Sequence, residues 1–563
     1  MRSHFHAEAS IEVYFKLAEM GGDMESKVYL YDTTLRDGTQ GEGISLSVED
    51  KIKIALRLDQ FGIDFIEGGW PGSNPKDMAF FERVREIPLK HAKVTAFGST
   101  CRPNVAASED DNLQALIASG VSAAAIFGKS WDLHVTDALK TTLEENIRMV
   151  ADSVAFLKEK GLTTLFLAEH FFDGYKANPR YALRVLEAAE EAGADWIVLC
   201  DTNGGSLPHE VYDIVKSAVS QLRVPIGIHP HNDSGVAVAN ALAAVQAGAT
   251  QVQGTINGIG ERCGNVNLIS VVPNLQLKLG FTCISNEQLQ DLTQLSRYVA
   301  EIANMTLPNN QPFVGHSAFA HKGGIHVSAV LRDPKTYEHI EPENIGNKRR
   351  VLVSELAGQS NLLAKMEELE IDLSLDREKA REVITRIKER EFQGYQYEGA
   401  EASLTLMLLE AAGKLKNLFT LDSFKILMEK AAVQSITSEA TVKLSVNGET
   451  VHTAADGNGP VNALDNAMRK ALESYYPCIA NMHLADYKVR VLDENGATAA
   501  KVRVLIESAS NGEKWSTVGV STNVIEASWE ALADSIRYML WKEGCVEADN
   551  HAAAGARVGI VNH

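Results

Sequence analysis

Eight short apolar runs, each ending in a polar or glycine-rich tip, alternate with helix-like stretches through the first half of the chain. The runs are VYLYDTT from Val28, DFIEGGWPG from Asp64, KVTAFGST from Lys93, SAAAIFGKS from Ser122, TTLFLAEH from Thr163, DWIVLCDTNGG from Asp195, VPIGIHPHND from Val224 and QVQGTINGIGERCGN from Gln251. Several of the intervening stretches start with Ser, Thr, Asp or Pro and stop at Gly, as capped helices do. Near-continuous apolar strands belong to parallel sheets covered on both faces. Eight such units predict a (β/α)8 barrel over residues 27–280. A doubly wound open sheet is the competing arrangement, but it seldom needs eight regular units. In a barrel the site lies at the C-terminal ends of the strands, where every polar tip falls.

After the barrel the pattern changes. Residues 281–393 read as a helical connector, with a Gly- and His-rich stretch, AFAHKGGIHVSAVLRDPKTYEHI, and a charged helix, DREKAREVITRIKEREFQG. Residues 394–547 contain an internal repeat, in which ATVKLSVNGETVHTAADGNGPVNALDNAMRKAL resembles KVRVLIESASNGEKWSTVGVSTNVIEASWEALADSIRYML. Each half reads as two strands joined at an Asn-Gly turn, then a small-residue loop, then an amphipathic helix. This α+β module carries no evident catalytic constellation. Residues 1–26 read as an N-terminal extension and 548–563 as a tail.

Composition narrows the function classes. Lys and Arg number 54 against 74 Asp and Glu, a formal charge of −20. That balance disfavours nucleic acid and anionic membrane as partners, which need a basic face. Six scattered cysteines with no CxxC read as reduced thiols rather than a disulfide framework. The absence of a membrane-length apolar run or a secretory signal makes a cytoplasmic location the expectation.

Two strand tips carry the chemistry. His229 and His231 stand at i, i+2 in HPHND, so on an extended strand they point to one side and can grip one ion. A carboxylate from across the barrel, Asp37, supplies a third ligand and leaves positions open for substrate. Asn265 can add a weak oxygen ligand. The plain alternative is a pair of surface histidines.

The motifs DTTLRDGTQ, HPHND, GIGERCGN and AFAHKGGIH, in this order, resemble the acyltransferase branch of the DRE-TIM metallolyases. That branch includes isopropylmalate, homocitrate and citramalate synthases. EGGWPGSNPKD, FGSTCRP and GKSWDLHV most resemble its bacterial citramalate synthase group. The resemblance implies condensation of acetyl-CoA with a 2-oxo acid, pyruvate in that group, on a divalent metal (Mg, Mn or Zn). It implies Asp37 as carboxylate ligand, Arg36 at the keto oxygen and Gln40 beside the acyl donor. Thr202 matches the residue that holds the substrate carboxylate, and Glu169 the catalytic glutamate. His326 matches a histidine supplied by a neighbouring subunit, and Tyr337 a nearby tyrosine; which of these three is the base stays open. Ile126, Phe127 and Leu167 are expected to form an apolar acceptor pocket. The resemblance also implies a homodimer whose C-terminal module binds isoleucine as inhibitor, near Gly457, Gly459, Pro460 and Asn523 in the two matched loop-to-helix turns. Isopropylmalate or homocitrate synthesis, a carbon–carbon lyase, a sensor scaffold and, for the C-terminal module, a dimer clamp without ligand are the competing readings.

Overall fold

The computed structural model describes residues 27–354, 359–368, 377–430, 436–492 and 500–544. The expected N-terminal extension and tail lie outside the described residues. The chain divides into two compact units, one of residues up to Phe319 with His339–Arg349, the other of Ala320–Glu338 with residues from Arg350 onward. Among the described residues no helix is long and apolar enough to cross a membrane.

The first unit is a closed barrel of eight parallel strands in sequential order. These are β1 (Tyr29–Asp32), β2 (Phe65–Gly69), β3 (Lys93–Ser99), β4 (Ala123–Lys129), β5 (Thr163–Glu169), β6 (Trp196–Asp201), β7 (Ile226–Pro230) and β8 (Gln251–Gly254). Each apolar run foreseen in the sequence supplies one strand. Closure is made by β1 on β8, with Tyr29 opposite Gln251 and Asp32 opposite Gly254.

Side chains alternate across a strand, and this alternation makes two cores. Leu30, Ile66, Ala96, Ile126, Phe166, Ile197 and Val252 face outward and pack under the helices. Tyr31, Phe65, Phe97, Leu165, Leu167 and Val198 fill the barrel interior. The helices begin where their caps dictate. Ser47 and Asp50 form a capping box before Val48–Phe61, and Asn74 caps Pro75–Val84 with proline in its first turn. Asp110 and Thr142 cap the helices after β3 and β4.

Residues expected as connector from 281 are divided between the units. The helix Leu292–Ile302 places Leu292, Leu295 and Val299 in the barrel's outer core. Leu362, Met366, Val383 and Ile387, on two helices of the second unit, pack instead with Leu404 and Leu408.

The repeat of the second unit is fuller than expected. Each half has three antiparallel strands, not two: Phe419–Glu429, Thr437–Val446 and Glu449–Gly457, then His483–Val491, Val502–Ser510 and Glu513–Ser521. The extra strand precedes the matched stretch in each case, and both are bulged where they pair with the next strand. The helices Pro460–Leu472 and Val524–Lys542 follow. The Asn-Gly turns behave as read. Asn447 and Gly448 have φ of 51° and 86°, and Asn511 and Gly512 have 51° and 83°, as a two-residue hairpin requires. Gly457 and Gly519 are matched close approaches. A Cβ on Gly457 would lie 2.3 Å from the Ala463 nitrogen, and one on Gly519 would lie 2.0 Å from the Ala527 carbonyl oxygen.

Candidate active site

β1 ends on a carboxylate that folds the tip rather than binding a ligand. Asp32 accepts from the Thr34 backbone (2.9 Å) and hydroxyl (2.8 Å). The same hydroxyl accepts from the Ile256 backbone (2.9 Å), which fastens the tip to β8. Burial lifts the Asp32 carboxyl to about 7 despite these bonds. The turn they create presents Arg36 and Asp37 to the barrel mouth.

Arg36 is held from below by Glu67, a fully buried residue of β2. Glu67 accepts from Arg36 Nε (2.5 Å), the Tyr31 hydroxyl (2.6 Å) and the Thr33 hydroxyl (2.5 Å). The other end of the guanidinium donates to Asp37 at 2.8 Å. Its central carbon, Cζ, lies 3.8 Å from the centre of the Phe97 ring. A buried carboxylate is costly unless it is paired and hydrogen-bonded, and Glu67 is both.

Asp37, His229 and His231 bring donor atoms within 4.8 Å of one another, all three buried. His229 Nδ1 faces Gln253 Oε1 at 3.0 Å, and Gln253 Nε2 donates to Gln251 Oε1 at 3.0 Å. This chain assigns the proton to Nδ1 and leaves the Nε2 lone pair facing Asp37, 3.7 Å away. Burial foremost pushes His231 down to about 4, so its imidazole is neutral at neutral pH. Burial alone would raise Asp37, but the Arg36 guanidinium foremost outweighs it and holds the carboxyl well below the usual range. Asn265 donates to Asp37 at 3.0 Å. His231 Nδ1 and Asn265 Oδ1 are buried with no hydrogen-bond partner. Two imidazoles, a carboxylate and an orphaned carbonyl oxygen are the donor set a divalent cation takes, so the residues fit the metal.

A cavity of about 230 Å³ opens beside this cluster. Of the residues expected from the sequence, Arg36, Asp37, Gln40, Phe127, Leu167, Glu169, Thr202, His229 and His231 border it. Ile126 does not. It neighbours Phe127 on β4 and so points the opposite way, into the layer under the helices. Trp70, Phe97, Cys200, Glu261 and Arg262 also border the cavity and went unread. For Arg262 the motif GIGERCGN held a signal, because an arginine among glycines at a strand tip needs a partner. It clamps Asp233 through Nε (2.8 Å) and Nη2 (3.0 Å), and donates to the Thr202 carbonyl at 2.7 Å. The tips of β6, β7 and β8 are thereby tied together. The Thr202 hydroxyl accepts from the His170 backbone at 2.9 Å. Glu169 ion-pairs with Lys129.

His326 and Tyr337 belong to the second unit. Their rings lie 4.3 Å apart, and Tyr337 is 46% exposed. Gly457 ends a strand there, and Gly459 precedes Pro460 with open space where a Cβ would stand. Asn523 caps the final helix by accepting from the Ile525 backbone at 2.9 Å.

Comparison with known proteins bears on this geometry. The HMGL-like family model matches residues 27–299, which span the whole barrel. The homocitrate synthase post-HMGL domain-like model matches 313–394, and the LeuA allosteric (dimerisation) domain matches 398–540. An (R)-citramalate synthase of Aquifex aeolicus is 58% identical over 92% of this chain and 99% of its own. That of Geobacter sulfurreducens is 53% identical over 93% and 99%. The chain belongs to the (R)-citramalate synthase family. A 2-isopropylmalate synthase of Methanocaldococcus jannaschii stands further off, at 33% identity over 92% of this chain and 96% of its own. A solved HMG-CoA lyase of Brucella melitensis, 18% identical, covers 49% of this chain and 99% of its own, with a TM-score of 0.42. Family membership agrees with the barrel, the histidine pair and the C-terminal module as parts of one enzyme.

Proposed function

We propose that this enzyme condenses acetyl-CoA with pyruvate to give (R)-citramalate and CoA. The observation that carries the reading is the Asp37, His229 and His231 cluster, which shares a small cavity with Arg36 and an aromatic wall. Bound by these three residues, with Asn265 beside them, a divalent ion would supply Lewis-acid polarisation of the keto group.

The chain's own residues do the rest. Arg36, fixed between Glu67 and Asp37, presents a preorganised cation to the oxygen on which negative charge develops. Thr202, held by the clamp of Arg262, receives the substrate carboxylate, and Gln40 borders the acetyl group. A base takes a proton from the acetyl methyl, and the resulting carbon forms a bond to the keto carbon of pyruvate. The keto oxygen gains a proton, and water then cleaves the thioester to release CoA. Glu169, His326 and Tyr337 are the groups assigned to this proton traffic, His326 from a neighbouring subunit of a homodimer. Isoleucine is the proposed effector. The match to the LeuA allosteric (dimerisation) domain and the twin loop-to-helix turns at Gly457–Pro460 and Asn523 support that reading.

A thiol-release assay with acetyl-CoA against pyruvate, 2-oxobutyrate, 2-oxoisovalerate and 2-oxoglutarate tests the proposal. Pyruvate should show the highest kcat/KM. A higher value for 2-oxoisovalerate would move the enzyme to isopropylmalate synthesis.

A further inference from the structure

We propose that Trp70 restricts the acceptor to a one-carbon side group, and that Asn112 is the positioning residue that holds it in place. The proposal rests on the acceptor reading above.

Trp70 follows β2 directly and borders the cavity. It is anchored at both ends. Its indole Nε1 donates to Asn112 Oδ1 at 2.6 Å, and its backbone nitrogen donates to Asp77 Oδ2 at 2.9 Å. Both anchors are themselves fixed. Asp77 pairs with the buried Lys51 at 2.5 Å, and Lys51 also donates to the Gly68 carbonyl at 3.0 Å. Asn112 sits in the first turn of the helix Asp111–Ala118 and donates to the Ser99 carbonyl at 2.7 Å. A Cβ on Gly98 would come within 2.9 Å of Asn112 Oδ1, so the glycine on β3 makes room for this anchor.

The indole braces two more rings. It meets Phe97 edge-on at 5.5 Å and Phe127 at 5.7 Å, and those two stack on each other at 5.5 Å. Phe97 in turn lies under the Arg36 guanidinium. The result is one cross-braced wall touching the cation assigned to the keto oxygen. An aliphatic lining can change rotamer to admit an extra methylene. Three interlocked rings with a pinned indole cannot yield without breaking the hydrogen bond to Asn112 and opening a void in a close-packed interior. The wall therefore selects by size. Of its rings, Trp70 is the one tied to a partner that contributes nothing else to the cavity.

The test compares acceptors in the thiol-release assay. The unaltered enzyme should prefer pyruvate to 2-oxobutyrate by about 10–200-fold in kcat/KM, the range one methylene allows in an apolar pocket. Trp70→Leu should lower that ratio by about tenfold or more, with KM for acetyl-CoA unchanged. Asn112→Leu, which unpins the indole, should shift the ratio the same way by less. Asn112→Asp, which keeps an oxygen for the indole but loses the bond to the Ser99 carbonyl, should shift the ratio less than Asn112→Leu. If Trp70→Leu fails to fold, the Asn112 pair decides. An unchanged ratio in the folded variants of a pyruvate-active enzyme overturns this inference alone. An unaltered enzyme that does not turn over pyruvate overturns the proposed function instead.

Discussion

Two cavities lined by charge can be compared, one at the barrel mouth and one in the second unit. The second is the larger, about 420 Å³ against about 230 Å³. Three of its cations pair with its three carboxylates. Arg386 meets Glu410 at 2.7 Å, Arg390 meets Glu530 at 3.2 Å and Arg537 meets Asp534 at 3.5 Å. The Ser403 hydroxyl donates to Asp534, and the Tyr395 hydroxyl to Glu530. The exception is the Tyr397 hydroxyl, buried beside Arg390 without a well-formed hydrogen bond. At the barrel mouth the donors converge on one point, and two buried polar atoms there have no partner. Leaving a buried polar atom unpaired costs about 1–3 kcal/mol. A fold carries that cost where a ligand completes the set. Volume does not separate a site from a packing gap, and neither does a single unpaired atom, whereas convergence of several donors does.

The sharpest test of the comparison removes the convergence. Asp37→Asn or His229→Ala should lose bound metal, read by elemental analysis, together with turnover. Metal retained at full occupancy in either variant would move the metal site elsewhere. Arg36→Ala should keep the metal and lose on the order of 100–1,000-fold in kcat, as removing one preorganised electrostatic group does. Glu67→Gln weakens the support beneath Arg36 and the bonds from the Tyr31 and Thr33 hydroxyls. It should cost less, up to about 100-fold, and kcat should change more than KM.

The next effect belongs to the second unit but not to its cavity. Gly459 is extended, with φ of −167°, and open space surrounds the place of its Cβ. Gly459→Trp should therefore fold. If isoleucine binds at the matched turns, the substitution should raise the inhibitory concentration about 5–150-fold, the usual span of a coupling free energy, and leave uninhibited turnover intact. Calorimetry that detects no isoleucine, leucine or valine binding to the unaltered enzyme would falsify the effector reading and leave a dimer clamp.

The same comparison shows what a sequence can carry. Asp37, His229 and His231 were readable because strand tips of a barrel must meet at one mouth, and i, i+2 spacing fixes the face. Phe127 was readable and Ile126 misread for one reason. A one-residue uncertainty along β4 turns a side chain from cavity to core, and both residues are apolar. Glu67 was hidden because its role depends on Tyr31 and Arg36 in the neighbouring strand and its tip, although a lone carboxylate inside DFIEGG is a signal in itself. Trp70 and Arg262 act through Asn112 and Asp233, 42 and 29 residues away, and no local pattern encodes such pairs. In the second unit the Asn-Gly hairpins were legible. The third strands were not, because FTLDSFKILME and HLADYKVRV mix charge with apolar residues, as edge strands do.

The smallest effect tests the claim that the larger cavity is self-paired. Burial lifts Asp534 from 3.8 to about 6, against the hydrogen bond from Ser403 and the charge of Arg537. The folded chain thus holds this proton up to about pH 6, while the unfolded chain releases it near 3.8. The stability this group contributes is full below the unfolded value and is lost as pH rises through about 6. Asp534→Asn is neutral throughout and removes that slope. At pH 8 the variant should be more stable by on the order of 1–2 kcal/mol, a figure reduced because the side chain is 19% exposed. At pH 4 the two proteins should unfold alike. Thermal unfolding at pH 4, 6 and 8 reads the difference. Turnover and isoleucine inhibition should not move, because the carboxylate answers to Ser403 and Arg537 and to no ligand. A change in inhibition without a change in stability would break the comparison, since it would mean that paired charges can also make a site.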